Sequence, residues 1–257
     1  MVKPCSILIT GASSGIGEAL AFFYADDGVF LALTGRNAER LEDVAERCRA
    51  KGAVVETSLI DVRQKEDLFH WIELIDDRHP LDLVVANAGI SGGTGGVMNG
   101  EPMDQAREIF DVNLTGVLNT IDPVLPRMLQ RKRGQIAMMS SLAAFRGWAG
   151  APAYSASKGA VRFYGEALRV SLKDTGVKIN VICPGFVESR ITAANDFRMP
   201  FFMKANKASK IIANGLASNR ARIAFPLPTH FFAWLAGTLP VSLCDAIMSC
   251  LPAKASR

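Results

Sequence analysis

The sequence predicts an α/β protein built on a parallel β-sheet with helices on both faces. Strand-length and helix-length segments alternate from Ser6 to Cys183. The strand segments are apolar on both faces, which is typical of parallel strands covered by helices on each side. The chain has 257 residues, 49% of them hydrophobic, with no Pro- or Ser-rich linker. We therefore expect one large domain spanning residues 1–257.

The predicted elements follow in a regular order. Short apolar runs predict strands at Ser6–Thr10, Phe30–Thr34, Val54–Ile60, Leu81–Ala86, Gln135–Ser140 and Lys178–Cys183. The patterns between them predict helices at Ile16–Asp27, Ala38–Ala50, Glu66–Asp77, Met103–Leu118 and Ala153–Lys173, the fourth with a continuation to Leu129 despite Pro123 and Pro126. Ligands of such sheets bind at the carboxyl ends of the strands, so we expect the chemistry in the loops that follow them.

Composition and charge exclude several classes of function. The net charge of +4 is mild and no aromatic-basic RNA motif accompanies it, so nucleic acid binding is not indicated. The five cysteines are scattered and the three histidines form no ligand pattern, so neither a disulfide framework nor a metal site is predicted. The segment Met1–Cys5 leads into a strand without a signal-peptide pattern, and a cytoplasmic location is expected.

A glycine-rich turn joins the first strand to the first helix. Gly11, Gly15 and Gly17 would let the backbone approach a pyrophosphate at the helix N-terminus, although a tight turn without a ligand is the alternative. The second strand runs into Thr34-Gly35-Arg36, and no acid occurs from Leu33 to Asn37. An acid there suits NAD and an arginine suits the 2′-phosphate of NADP, so NADP(H) is predicted over NAD(H). A solvated arginine is the alternative interpretation.

Two further pairs of residues could take part in binding or catalysis. Asp61 and Val62 follow the third strand and could bond the adenine edge, and a helix N-cap region explains them nearly as well. Tyr154 and Lys158 are four residues apart, so a helix places them on one face. An ammonium group within about 4–6 Å lowers the pKa of a phenol from about 10 and favours proton transfer. Alone the pair is a weak pattern, with helix surface as its alternative.

Together these motifs resemble the NAD(P)-dependent short-chain dehydrogenases/reductases. The matching residues keep the family's order and spacing over about residues 5–192, and they are Thr10–Gly17, Asp61-Val62, Asn87-Ala88-Gly89, Asn113, Ser140-Ser141, Tyr154–Lys158 and Pro184-Gly185. The resemblance implies a Rossmann-like, doubly wound, seven-stranded parallel sheet flanked by helices. It also implies a homo-oligomer, and the altered tail described below favours a dimer.

The resemblance further implies the roles of particular residues. The implied catalytic tetrad is Asn113, Ser141, Tyr154 and Lys158, with Ser141 preferred to Ser140 because it lies thirteen residues before Tyr154. Ser141 would position a carbonyl that Tyr154 protonates as hydride arrives, Lys158 would lower the tyrosine pKa and hold the nicotinamide ribose, and Asn113 would anchor a water. The implied cofactor-binding residues are Gly11, Ser13, Ser14, Gly15, Ile16, Gly17, Arg36, Asp61, Val62, Asn87, Ala88, Gly89, Tyr154, Lys158, Pro184, Gly185, Val187, Ser189 and Thr192.

The last 63 residues, 195–257, depart from the family pattern. A helix is predicted at Lys204–Ala217 and a strand at Arg222–Phe225, and a substrate lid is expected over about residues 193–218. The apolar extension, about residues 227–257, predicts two short helices broken near Gly237–Pro240. Pro240 and Asp245 argue against a membrane span, since an aspartate at mid-bilayer costs about 2.5–3.5 kcal/mol. Three roles of this extension stay open: covering the substrate pocket, forming a dimer contact, or contacting a membrane surface.

These observations predict an NADPH-dependent oxidoreductase acting on a carbonyl or alcohol group. The aromatic tail and the loop Ala194–Phe202 favour a hydrophobic or lipid-like ketone or aldehyde over a sugar. Two other functions are considered: a non-catalytic NADP-binding sensor or scaffold, and a lipid-binding protein at a membrane surface. The complete tetrad argues against the sensor or scaffold, and the lipid-binding protein stays an alternative.

Overall fold

The computed structural model describes residues 3–94 and 100–248, without the side chains of residues 245–248. Its centre is a seven-stranded sheet in the order β3-β2-β1-β4-β5-β6-β7, and every neighbouring pair is parallel. The strands are β1 (Ser6–Thr10), β2 (Phe30–Thr34), β3 (Val54–Ser58), β4 (Leu83–Ala86), β5 (Gly134–Met139), β6 (Val177–Pro184) and β7 (Arg222–Phe225). The strands β1 to β3 are added towards one edge of the sheet and β4 to β7 towards the other, so the strand order reverses between β1 and β4. Open α/β sheets bind ligands at such a point.

Helices cover both faces of this sheet. They are α1 (Gly15–Tyr24), α2 (Ala38–Arg49), α3 (Lys65–Arg78), α4 (Met103–Phe110), α5 (Gly116–Ile121), α6 (Leu125–Gln130), α7 (Pro152–Ser171), α8 (Arg190–Ala193), α9 (Ala205–Ala217), α10 (Leu227–Thr238) and α11 (Val241–Met248). Successive strand residues point to opposite faces, so Ile7 and Ile9 belong to one apolar cluster and Leu8 to the other. The predicted fold class is therefore confirmed.

The long helix predicted from Met103 to Leu118 is wrong in detail. α4 ends at Phe110, a π-helical turn covers Asp111–Thr115, and α5 follows directly. The predicted continuation to Leu129 also fails, because α5 ends at Ile121 and α6 begins anew at Leu125. Prolines lack the amide hydrogen that a helix interior needs, and Pro123 lies in the break while Pro126 sits in the first turn of α6.

The C-terminal third divides into a packed part and an outward-facing part. The segment expected to be a lid ends in α9, whose Ile212 and Leu216 lie in the core with Leu20 of α1. In α10, by contrast, no residue is buried. The break between α10 and α11 falls at Leu239–Pro240, as predicted, while residues 249–257 of the expected extension lie outside the described residues. Among the described helices, none combines the length and the apolarity needed to cross a membrane.

Candidate active site

A cleft of about 770 Å³ lies over the carboxyl ends of the strands around β1 and β4. Eighteen of the nineteen predicted cofactor-binding residues line it: Gly11, Ser13, Ser14, Gly15, Ile16, Arg36, Asp61, Val62, Asn87, Ala88, Gly89, Tyr154, Lys158, Pro184, Gly185, Val187, Ser189 and Thr192. Gly17 is the exception. It is buried, and a Cβ there would collide with the carbonyl of Gly11, so Gly17 lets α1 pack closely against the turn.

The glycine turn after β1 forms a cradle with no room for side chains. Gly11 and Gly15 have φ of +66° and +61°, in the left-handed region. A Cβ on Gly11 would lie 2.8 Å from Cα of Ala88, and one on Gly15 would lie 2.9 Å from Cβ of Ser189. Helix α1 begins at this turn. The backbone amides and the dipole at the N-terminus of a helix suit a pyrophosphate. These residues therefore fit the phosphates of a dinucleotide.

Asn87 joins the ends of β1 and β4. Its side-chain Nδ2 donates to the carbonyls of Thr10 at 2.9 Å and Gly11 at 3.2 Å. The backbone amides of Asn87 and Ala88 in turn donate to Oγ1 of Thr10, at 3.0 and 3.1 Å. The motif after β4 is thus a clamp that holds the glycine turn in place.

Ser189 and Thr192, predicted near the pyrophosphate, also have a local role in the fold. Ser189 Oγ accepts from the amide of Thr192 at 3.3 Å, and Thr192 Oγ1 accepts from the amide of Ser189 at 3.0 Å. This reciprocal cap starts α8 at the edge of the cleft. The two hydroxyls therefore position the loop after β6 as well as lining the site.

The end of the cleft above β2 is rich in arginine. Arg36 has a side chain that is 49% exposed, with Nη1 3.7 Å from Oδ2 of Asp61. Asp61 is held more tightly by Arg63, at 2.7 Å. Burial raises the pKa of Asp61, but hydrogen bonds and charge from Arg63, with Arg36, outweigh it and leave the pKa lowered. The N-cap of α3 is Gln64, so Asp61 is not the cap.

Arg40 was not predicted and lines the same end of the cleft. It lies in the first turn of α2, and its Nε is buried with no hydrogen-bond partner among the described residues. A buried guanidinium nitrogen without a partner is unfavourable, and an anionic ligand would satisfy it. Its position in the first turn of the helix that follows β2, at the carboxyl ends of the strands, was the signal that could have identified Arg40.

The predicted tetrad comes together around β5 and α7. Ser141 follows β5, and its hydroxyl hydrogen-bonds the partly buried Tyr154. Lys158 is buried, and its Nζ donates to the carbonyl of Met139 at 2.9 Å. Ser140 Oγ donates to the carbonyl of Lys158 at 2.7 Å, so it holds α7 against the sheet. Ser140 lines the cleft and Ser141 does not, so the choice of Ser141 as the catalytic serine stays a prediction.

Asn113 lies in the π-helical turn and is fully buried. Its Oδ1 accepts from the amide of Ile90 at 2.8 Å, while Nδ2 donates to the carbonyl of Ile90 at 3.0 Å and to Oγ of Ser157 at 3.1 Å. A Cβ on Gly89 would lie 3.1 Å from Oδ1 of Asn113 and 3.2 Å from Nζ of Lys158. Gly89 therefore lets Asn113 and Lys158 approach each other.

The expected lowering of the Tyr154 pKa by Lys158 is wrong for this structure. Burial raises the pKa of Tyr154, and the hydrogen bond from Ser141 opposes it only in part. Burial also lowers the pKa of Lys158 to about 8. Nζ of Lys158 lies 6.0 Å from the centre of the Tyr154 ring. Desolvation disfavours the charged form of both groups, and at this separation it outweighs their attraction.

An aromatic cluster joins the loops that follow β5 and β6. The ring of Phe197 lies edge-on to Trp148 and Phe186, with centroid distances of 5.7 and 5.9 Å. The amide of Thr94, after β4, donates to the carbonyl of Gly150 at 3.2 Å. Three strand-end loops thus meet near the start of α7, where the amide of Trp148 donates to Oγ of Ser155 at 3.1 Å. Trp148 was missed by the sequence analysis, and its place between Ser141 and Tyr154 was the available signal.

Comparisons with known proteins agree with this fold. The family model described as short chain dehydrogenase matches residues 6–198. An uncharacterized oxidoreductase of Myxococcus xanthus (strain DK1622) is 41% identical over 240 residues, which cover 93% of this chain and 94% of that protein. An uncharacterized oxidoreductase of Staphylococcus saprophyticus is 37% identical over 74% of this chain and 81% of its own length.

Solved structures share the fold. A short-chain dehydrogenase from Sphingobium yanoikuyae in complex with NADPH superposes with a TM-score of 0.79, at 24% identity and 96% coverage of each chain. An NAD+-bound xylitol dehydrogenase gives 0.74, at 23% identity over 85% of this chain and 95% of its own. Because both structures are less than 25% identical to this chain, the similarity shows a shared fold and nothing more.

The sheet order and the shared fold define a protein of the Rossmann-like α/β class. Within that class, this chain belongs to the short chain dehydrogenase family of oxidoreductases.

Proposed function

We propose that the protein is an NADPH-dependent reductase of a hydrophobic or lipid-like ketone or aldehyde, reversible in principle. The observation that carries the proposal is a cleft lined by Tyr154, which forms a hydrogen-bonded pair with Ser141, and by two arginines, Arg36 and Arg40, above β2. The first pair suits proton delivery to a carbonyl oxygen. The second suits a phosphate group on the adenosine ribose.

In this proposal, a bound nicotinamide supplies the hydride. Ser141 Oγ orients the substrate carbonyl, and the Tyr154 hydroxyl donates its proton to the oxygen as negative charge develops. Because burial raises the pKa of Tyr154, its hydroxyl stays protonated and can act as the proton donor in reduction. Lys158 would hold the nicotinamide ribose, and Asn113 would support the path by which Tyr154 regains a proton.

Several features of the chain support NADPH over NADH. No acid lies at the end of β2, where an acid would select the ribose 2′-hydroxyl. Among the residues described, the acid that follows the neighbouring strand β3 is Asp61. Nη2 of Arg63 donates a hydrogen bond to its carboxylate at 2.7 Å. Arg36 and the unpartnered Nε of Arg40 are therefore the groups available to a 2′-phosphate.

The aromatic cluster supports an apolar substrate. Trp148, Phe186 and Phe197 meet where the loops after β5 and β6 approach the tetrad. Phe201 and Phe202, in the same loop as Phe197, are 55% and 45% exposed. Contact between such an apolar surface and a hydrocarbon chain is favourable, because both are removed from water. The same surface offers a sugar few hydrogen-bonding groups.

The test is a screen of nicotinamide oxidation over methyl ketones and aldehydes of increasing chain length, with small polar carbonyls and sugars alongside. We expect kcat/KM to rise with chain length and to be at least about tenfold higher with NADPH than with NADH. Turnover of sugars alone, or a preference for NADH, would contradict the proposal. NADPH binding without turnover of any carbonyl would instead favour the non-catalytic sensor. The cytoplasmic location and the homodimer stay predictions.

A further inference from the structure

The helix that carries Tyr154 and Lys158 begins without a side-chain cap of its own. Its N-cap residue is Ala151, whose methyl group cannot accept a hydrogen bond, and Pro152 follows in the first turn. Side chains that cap a helix usually accept from the amide of the second or third helical residue. The second residue of α7 is Ala153, which is buried and directly precedes Tyr154. A buried amide without an acceptor would destabilise the start of this helix.

A distant carboxylate supplies the missing cap. Oε2 of Glu101 accepts a hydrogen bond from the backbone amide of Ala153 at 2.7 Å, although the two residues are 52 positions apart in the chain. The first turn of α7 contains no acidic residue, so Glu101 also brings the negative charge that favours a helix N-terminus. A hydrogen bond to a carboxylate is stronger than one between neutral groups. Glu101 therefore does for α7 what an aspartate at the N-cap position does for other helices.

Glu101 is itself held in place by a buried glutamine. Nε2 of Gln105 donates to Oε1 of Glu101 at 3.2 Å and to the carbonyl of Gly93 at 3.0 Å. An added Cβ on Gly92 would lie 2.5 Å from Oε1 of Gln105, so glycine at this position leaves room for the side-chain amide. Gly92 in turn lines the cleft. A chain of contacts therefore runs from the cleft wall through Gln105 and Glu101 to the start of α7.

The start of α7 determines where the Tyr154 hydroxyl lies. Tyr154 directly follows the capped amide, and its hydroxyl is hydrogen-bonded to Ser141, which follows β5. The loop after β5 contacts the same helical turn again, through the bond from the amide of Trp148 to Oγ of Ser155. This loop thus supports the turn from one direction, and Glu101 supports it from the loop after β4. A displacement of about 1 Å can cost about a hundredfold in rate, so the second support matters for turnover.

We propose that Glu101 is a positioning residue: its carboxylate caps α7 and so fixes the phenol of Tyr154 where it meets the substrate carbonyl. Glu101 is not among the residues that line the cleft, so it acts through the helix and not by touching substrate or cofactor. The assignment rests on the reductase function proposed above. It also makes a claim about the start of α7 that can be tested without turnover.

The first test compares Glu101→Ala with Glu101→Gln, whose amide oxygen can still accept from Ala153. We expect kcat for carbonyl reduction to fall about ten- to hundredfold in Glu101→Ala and to stay within about threefold in Glu101→Gln. The Kd of NADPH should stay within about threefold of the wild-type value in both variants. The matched control is Asp104→Ala, which removes an exposed carboxylate from the first turn of α4 and should leave kcat unchanged.

An isotope effect separates positioning from loss of folded protein. With NADPH deuterated at C4, the isotope effect on kcat should rise in Glu101→Ala, because hydride and proton transfer become slower relative to product release. A smaller fraction of folded protein would lower the measured rate without changing this isotope effect.

The second test needs no turnover. NMR measures how fast the amide proton of Ala153 exchanges with deuterium in each variant. We expect exchange at least about tenfold faster in Glu101→Ala than in the wild type, with Glu101→Gln and Asp104→Ala close to the wild-type rate. The amides of β1 are the reference, since unchanged exchange in this core strand shows that the effect is local to α7.

Three results would each overturn the proposal. An unchanged exchange rate of Ala153 in Glu101→Ala would show that the carboxylate does not hold this amide. A kcat of Glu101→Ala within about twofold of the wild-type value would show that the cap does not position Tyr154. A Glu101→Gln variant as slow as Glu101→Ala would refute the role of the hydrogen bond. Failure of the reductase function looks different: the wild type would then turn over no carbonyl, while faster exchange in Glu101→Ala would still support the cap.

Discussion

The cleft and the C-terminal helices place their side chains in opposite ways. In the cleft region, the polar groups of Asn113 and Lys158 are buried, and each is bonded to backbone carbonyls. In α10 and α11, the apolar groups are exposed, with Phe232 at 63% and Val241 at 64%. A buried polar group is tolerated when its hydrogen bonds are made, so the interior of the fold dictates the cleft. Contacts within the protein do not account for the exposed apolar side chains of α10 and α11, which burial against another surface would stabilise.

This contrast separates the effects of substitutions. Replacing a buried, bonded group such as the Asn113 side chain leaves the Ile90 amide without its partner, at a cost of about 1–3 kcal/mol of stability. Replacing Phe231, which is 56% exposed, should change stability little. The predictions below test this difference, from the largest expected effect to the smallest.

The largest effect is expected at the Tyr154 hydroxyl. Tyr154→Phe removes the proposed proton donor and should lower kcat by about 10²–10⁴-fold while NADPH binding stays unchanged. Steady-state kinetics and a fluorescence titration of NADPH check the two parts. Tyr164→Phe is the matched control, since Tyr164 lies on the same helix and is 39% exposed. Near-wild-type turnover by Tyr154→Phe would exclude the assigned role.

Cofactor selection is expected to change next. Arg36→Ala removes a charge-assisted bond worth about 1.5–3 kcal/mol and should weaken NADPH about ten- to hundredfold without affecting NADH. Arg40→Ala should shift the same ratio in the same direction. Arg49→Ala, at the far end of α2 and paired with Glu42, should leave it unchanged. An unchanged preference in Arg36→Ala would remove the basis for NADPH selection.

Burial of Lys158 should make stability depend on pH. Its folded pKa of about 8 lies below the unfolded value of about 10.4, so the unfolded chain binds more protons between these values. The free energy of unfolding should therefore gain about 1–2 kcal/mol from this group between pH 8 and 10, and the gain is lost as pH falls toward 8. Tyr154, whose pKa is raised, acts oppositely above about pH 10.

Urea denaturation at pH 8, 9 and 10 measures this dependence. Lys158→Met should abolish the gain, because the variant cannot titrate there. Lys173→Met, at an exposed position beyond α7, should keep the wild-type slope. Parallel curves for wild type and Lys158→Met would show that Lys158 titrates as in water.

The smallest effect is expected in the aromatic cluster. Phe197→Ala removes the ring that joins Trp148 and Phe186, and KM for a long-chain ketone should rise about tenfold with little change for a small carbonyl. Phe201→Ala, at a 55% exposed position in the same loop, should have a weaker effect. Equal losses for long and short substrates would indicate a structural role for Phe197.

Much of the fold and the cleft was predictable, and the reasons are local. The strands β1, β2 and β7 have the predicted bounds, because each is a short apolar run between turn residues. The glycine turn was predictable because its conformation requires glycine at Gly11 and Gly15. The helix predicted from Met103 failed, because a π-helical turn has no sequence signal that periodicity detects.

By itself, the sequence determined the order of strands and helices along the chain, the cradle after β1 and eighteen of the residues that line the cleft. Those features depend on side-chain periodicity, backbone freedom and spacing, which act over a few residues. Only the tertiary structure decided that burial raises the Tyr154 pKa, that Arg40 reaches the cleft and that the aromatic side of α10 points outward. Desolvation and exposure depend on which distant segments pack together, and no short stretch of sequence encodes them.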